Sequence, residues 1–179
     1  MEGMSLNMIW KKLSLSELMK YHKPELVEGY CKQCSNYNLN WSCPPHDRDV
    51  LKAFLNYKSV IVFGVKTKNF TRTKSQLTHF LISISDKLPC HVLISGNCDL
   101  CNKCSKPDRD VCTFPRKMKY SLESLGFHVS DICEKVLGVP LTWDSENPEY
   151  FAVAAIFYPS ELELTVKKYL REGVDIITS

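Results

Sequence analysis

Seven cysteines gathered in two short windows carry most of the chemistry open to this sequence. The later window holds Cys98, Cys101, Cys104 and Cys112 in the pattern C-x2-C-x2-C-x7-C. Three thiolates at that spacing can wrap one face of an iron–sulfur cubane, and a fourth can return from a short loop. The bacterial ferredoxin run has the same C-x2-C-x2-C core. Zinc sites more often join two separate C-x2-C knuckles, or one knuckle and two histidines. The five histidines, His22, His46, His79, His91 and His128, offer no such pair. The haem-attachment motif C-x-x-C-H and the C-x3-C-x2-C spacing of radical enzymes using S-adenosylmethionine are both missing. A 4Fe–4S cluster is therefore the expected cofactor of this group, with zinc as the alternative.

The earlier window reads Cys31-x2-Cys34-x8-Cys43-Pro44-Pro45. Its two prolines fix the backbone beyond Cys43 and bring no N–H donors. Three thiols can hold a second cluster only if a fourth donor comes from elsewhere. His46 is the nearest in sequence, and imidazole does ligate iron in Rieske centres. Cys90, or a cysteine borrowed from the later group, is a further option. An iron left open would be a Lewis acid, the most direct route from this sequence to catalysis. Tyr37 and Trp41 stand where they could shield this first metal or simply pack in the core. Cys90 and Cys133 otherwise read as small buried apolar residues.

The remaining composition narrows the function classes. A chain of 179 residues and 20.6 kDa suits one domain, taken as residues 1–179. Its 23 basic and 20 acidic side chains give a net charge of +3, too balanced for nucleic acid to be the expected partner. The seven glycines form neither G-x-G-x-x-G nor a Walker loop. No Ser–His–Asp signature, nucleophile elbow or HExxH helix competes for catalysis, so whether the protein is an enzyme stays open. The start, MEGMSLNMIWKKLSLSELMK, lacks the layout of a secretion signal, and no apolar stretch reaches membrane-span length. The expected location is the cytoplasm, where clustered cysteines bind metal more often than they form disulfides. Lys103, Lys106, Arg109, Arg116, Lys117 and Lys119 outnumber Asp99, Asp108 and Asp110 around the later group. They form either a solvated basic loop or a rim that tunes a potential and attracts an acidic redox partner.

Stable elements must hold these loops in place. Periodicity and caps predict a short helix over 14–21, a loop from about 29 to 47, and a helical turn over 48–55. Ser59–Lys66 is an apolar run of strand length, Lys74–Leu88 a helix closed by Pro89, and His91–Ser95 a second strand. That unit favours a parallel pair joined by a crossover helix. Further helices are expected over 115–126, 130–138 and 161–172, with strands at 141–143 and 150–158 around the turn-like DSENP. The predicted fold is one α/β domain: a mixed β-sheet with a βαβ crossover unit, flanking helices, and two cysteine-rich metal-binding loops.

Three segments together resemble a known family. They are Cys31…Tyr37…Asn40-Trp41-Ser42-Cys43-Pro44-Pro45, then Gly96-Asn97-Cys98-Asp99-Leu100-Cys101-Asn102-Lys103-Cys104, then Cys112-Thr113-Phe114-Pro115…Met118…Ser121-Leu122-Glu123…Gly126. The family is the predicted metal-binding proteins of domain of unknown function 2284, found largely in anaerobic bacteria and archaea. The resemblance covers about residues 28–158. It implies metal binding and, from that habitat, oxygen-sensitive iron–sulfur chemistry, but no particular reaction. Asn38-Leu39 stands where the family often has Gly-Lys, and Thr113 where it often has arginine. These departures bear on a basic contribution near each site and leave the thiols untouched.

Overall fold

The computed structural model describes residues 2–4, 8–141 and 149–177. Its strands are β1 (Glu2–Met4), β2 (Met8–Ser14), β3 (Ser59–Thr67), β4 (His91–Leu93) and β5 (Tyr150–Tyr158). They form one sheet in the order β1-β2-β3-β5-β4. The first seven residues of β3 are all buried, as a strand covered on both faces requires. Beside it runs β5, with Ser59 opposite Tyr158 and Thr67 opposite Tyr150. At Gly64 the two strands need a residue without a Cβ, because one there would lie 2.1 Å from the Phe151 ring.

The alternation of β3 divides the core in two. Ile61, Phe63 and Val65 face helices α3 (Phe70–Lys87) and α5 (Glu163–Ile177), where Leu77, Leu81, Val166 and Leu170 meet them. Val60 and Val62 face the opposite layer, which includes Leu18, Phe54, Phe127, Ile132 and Cys133. That second layer is built from α1 (Leu15–Met19), α2 (Pro24–Cys31), α4 (Val129–Ile132) and irregular chain. Ser14 opens α1 with a capping box, its side chain accepting from the Glu17 N–H.

The α/β class and the crossover from β3 through α3 to β4 stand as predicted, but the pairing is corrected. β5 inserts between β3 and β4, so every named strand pair is antiparallel. The parallel character of the expected mixed sheet is confined to the isolated bridge Ile94–Ser121. That bridge also explains why no helix forms over 115–122. The Ile94 N–H donates to the Tyr120 carbonyl at 2.8 Å, drawing this segment alongside the sheet edge. Only a short 3₁₀ turn, Glu123–Leu125, follows, ended by Gly126 at φ 86°. Similarly, 48–55 makes one 3₁₀ turn at Leu51–Ala53 and no longer helix. The strand β2 and the helix α2 arise where no element was expected; α2 begins at Pro24 and delivers Cys31 at its last position. α4 runs into a π-helical turn, Cys133–Leu137, closed by Gly138 at φ 70°. The strand expected at 141–143 shows no strand at Leu141, and its remaining residues and the DSENP turn lie outside the described residues.

Candidate metal centre

The later cysteine group is held at the end of β4. Gly96, at φ 64°, turns the chain out of the sheet, and Cys98, Cys101, Cys104 and Cys112 then come round one small, nearly closed pocket. Trp41, Phe114 and Met118 complete its apolar wall. Trp41, expected beside the first group, instead covers the second. Its indole Nε1 donates to Ser105 Oγ at 3.1 Å, and Lys106 Nζ lies 5.7 Å from the ring centroid.

The pocket wall supplies N–H groups to sulfur. The Trp41 backbone N–H donates to Cys104 Sγ at 3.4 Å. At Cys98 the N–H groups of Leu100 and Lys119, and at Cys112 that of Phe114, favour the thiolate. Burial still pushes the Cys98 and Cys112 thiols up, and neighbouring thiols add to the shift. Removal of these protons therefore calls for a cation, while the N–H donors are already set to stabilise the resulting thiolates.

Cys31, Cys34 and Cys43 line a second, larger cavity of about 560 Å³, walled mainly by apolar side chains including Val27, Phe127 and Val129. Cys31 comes from the end of α2, and Cys34 closes the next turn through its N–H to the Cys31 carbonyl at 3.0 Å. The Asn38 N–H then bonds the Pro44 carbonyl at 2.8 Å and folds the loop back. Asn38 itself has φ 58°. Asparagine tolerates that left-handed conformation better than most residues, so it can stand in for the family's glycine without altering the turn. Burial raises the Cys31 thiol to about 11 and raises Cys43 as well.

A short buried segment joins the two groups. Asn40 Nδ2 donates to the Cys98 carbonyl at 3.0 Å, and the Cys98 N–H donates to Ser42 Oγ at 2.8 Å. Ser42 in turn donates both its N–H and its hydroxyl to Asn40 Oδ1, at 3.0 and 2.9 Å. Asn40 is 5% exposed and Ser42 1%, so water cannot easily replace these bonds. Lys106 reaches back to the Cys43 and Pro45 carbonyls at 3.5 and 3.4 Å.

His46 is engaged elsewhere. Its Nε2 pairs with the Ser124 carbonyl at 2.9 Å, and its ring meets Tyr120 edge-on with centroids 5.2 Å apart. Burial lowers its pKa, favouring the neutral imidazole. It shares a cavity with Cys31 but does not line the one shared by all three early cysteines. Tyr37 lines that cavity and its hydroxyl donates to Glu28 Oε1 at 3.2 Å. Cys90 and Cys133 are buried in the two halves of the core, and burial lifts them to about 11 and about 12. All nine cysteines are unpaired. Among the described residues no three His, Cys, Asp or Glu side chains form a group that could hold a single metal ion. The donors surround spaces instead.

The model of a family described as "Predicted metal-binding protein (DUF2284)" matches residues 20–157, a span that includes both cysteine groups. The chain belongs to this family. No curated protein and no solved structure matches it. Among the described residues no helix is long and apolar enough to cross a membrane.

Sequence reasoning missed the Asn40–Ser42 link and Trp41 as a wall of the later group, and gave Glu123 no role. Asn40, Trp41 and Ser42 sit directly before Cys43, but nothing in their types says that they reach the other cysteine window. Glu123 is partly exposed and lines both cavities that contain Cys31.

Proposed function

We propose that this family member is a cytoplasmic iron–sulfur protein that carries electrons to a partner. Cys98, Cys101, Cys104 and Cys112 would hold one 4Fe–4S cluster, and Cys31, Cys34 and Cys43 a second. The observation that carries the reading is the later pocket, where four thiols line one small space and the Trp41 N–H donates to one of them. A single tetrahedral zinc would need its thiolates within about 3.8 Å of one another, given Zn–S bonds of about 2.3 Å. No such group of three is present among the described residues. When bound, such a cluster supplies a one-electron couple whose potential follows its hydrogen bonds and its exposure. The N–H groups of Trp41, Leu100, Phe114 and Lys119 hold negative charge at sulfur, and the Trp41 indole keeps water from that side. Val111 and Phe114 are exposed next to Cys112, with Arg109, Arg116 and Lys117 around them. An acidic redox partner would meet this face.

A second reading makes the three-cysteine centre a substrate site. The apolar cavity of about 560 Å³ over Cys31, Cys34 and Cys43 favours it, being large enough for a small organic ligand. Anaerobic purification with iron and sulfide analysis tests the whole proposal. Brown protein with absorbance near about 400 nm is expected. Cys101→Ser should lose one cluster's share of iron, and Cys133→Ser should lose none. Colourless protein carrying stoichiometric zinc would refute the proposal and leave a zinc-stapled interaction module.

A further inference from the structure

We propose that Glu123 is the fourth protein ligand at the three-cysteine centre, an inference that rests on the cluster reading of that centre. Cys31, Cys34 and Cys43 line one cavity, and the side chain that joins them there with a free anionic donor is Glu123. The carboxylate is the charged group that bears most strongly on the Cys31 thiol, ahead of Cys43, Cys34 and Glu28. Burial raises the pKa of this carboxyl, against its own N–H and the Ser121 hydroxyl, which favour the charged form. The Ser121 hydroxyl is itself fixed, because its oxygen accepts the Ser124 N–H at 3.2 Å. An ionised carboxylate on this wall has lone pairs to offer a metal.

No cation among the described residues pairs with Glu123. The other acids drawn into the fold are neutralised: Asp131 by Lys23 and Lys135, Glu163 by Lys12 and Lys167. A partly exposed carboxylate that lines an apolar cavity without a counter-charge is placed to meet a metal there. Hard oxygen donors do bind iron alongside softer ligands, so the donor set is chemically sound. His46 fits the role less well, since its Nε2 is already committed to the Ser124 carbonyl and it does not line the cavity shared by the three cysteines.

The test compares anaerobically reconstituted wild type with Glu123→Gln and His46→Ala, by iron content and EPR. The expected result is that Glu123→Gln alters the EPR signal of one cluster and loses iron from it, while the other cluster's signal and His46→Ala are unchanged. Identical spectra for wild type and Glu123→Gln would overturn the inference, as would a shift confined to His46→Ala. Should Glu123→Gln fail to fold, the wild-type protein grown with carboxylate-¹³C glutamate decides the matter. Electron–nuclear double resonance must then show ¹³C coupling to one cluster, and its absence overturns the assignment. Wild-type protein without clusters would instead defeat the cluster reading itself, which keeps the two failures apart.

Discussion

Replacing Ser42 by alanine should unfasten the two cysteine loops from each other. The hydroxyl accepts the Cys98 N–H at 2.8 Å and donates to Asn40 Oδ1 at 2.9 Å, at a position only 1% exposed. Alanine leaves the Cys98 N–H without a protein acceptor, at a cost of about 1–3 kcal/mol. Losing the bond to Asn40 adds about 1 kcal/mol, offset in part because one polar group fewer is desolvated. Asn40 Oδ1 keeps the Ser42 N–H, so the residual strain there is small. The net loss should be about 2 kcal/mol, or a fall in Tm of about 4–8 °C for a chain of this size. Urea denaturation followed by circular dichroism measures it, with an unchanged slope against denaturant expected. Ser83→Ala is the control: its hydroxyl donates to the Phe80 carbonyl within α3, and its loss leaves no N–H orphaned. If Ser42→Ala costs no more than Ser83→Ala, the buried segment does not lock the loops and the reasoning fails.

Two other perturbations probe the frame around the sites. Lys23, then Lys135 and His128, hold the Asp131 carboxyl well below the usual carboxylate range. A group depressed in the folded state stabilises above its unfolded pKa and loses that contribution as pH falls through the carboxylate range. Asp131→Asn should therefore unfold at lower urea than wild type at pH 7, with the gap beginning to narrow only below about pH 4 and still largely present at about pH 3; a gap that closes well above about pH 4 would contradict this. Gly64→Ala sets a methyl 2.1 Å from the Phe151 ring in the middle of the sheet and should cost about 1–3 kcal/mol in thermal unfolding. Adding Phe151→Ala should recover part of that loss, and a simple sum of the two penalties would show that no clash exists.

Much of this architecture was legible from period and punctuation. The unbroken apolar runs of β3 and β5 could only be doubly covered strands, and Pro89 marked the end of α3. The insertion of β5 between β3 and β4 was not legible, because nothing local separates adjacent parallel strands from strands one place apart. The helix expected after Pro115 failed for a tertiary reason: the Tyr120 carbonyl accepts from Ile94 at the sheet edge. The cysteine groupings followed directly from spacing. The role of Trp41 did not, since its backbone N–H and indole act on Cys104 and Ser105, more than 60 positions away in the chain. Glu123 shows the limit most plainly, for an unpaired acid acquires meaning only from what the fold leaves out around it.

The loops that carry the cysteines are the parts of the molecule with least regular structure. Between β4 and the turn at Glu123, residues 94–122 contain no helix and no strand. So long an irregular stretch inside a compact protein is uncommon without a functional or binding role. Its order comes from the Ile94–Ser121 bridge, and from the Asn40–Ser42 link and the contacts of Trp41, which meet at the later pocket. The same buried segment ends in Cys43 of the other group. Metal taken up by either set of thiols would thus act on both, because Asn40 and Ser42 cannot move without displacing Cys98 on one side and Cys43 on the other. The two cysteine windows, separate in sequence, are one hydrogen-bonded structural unit.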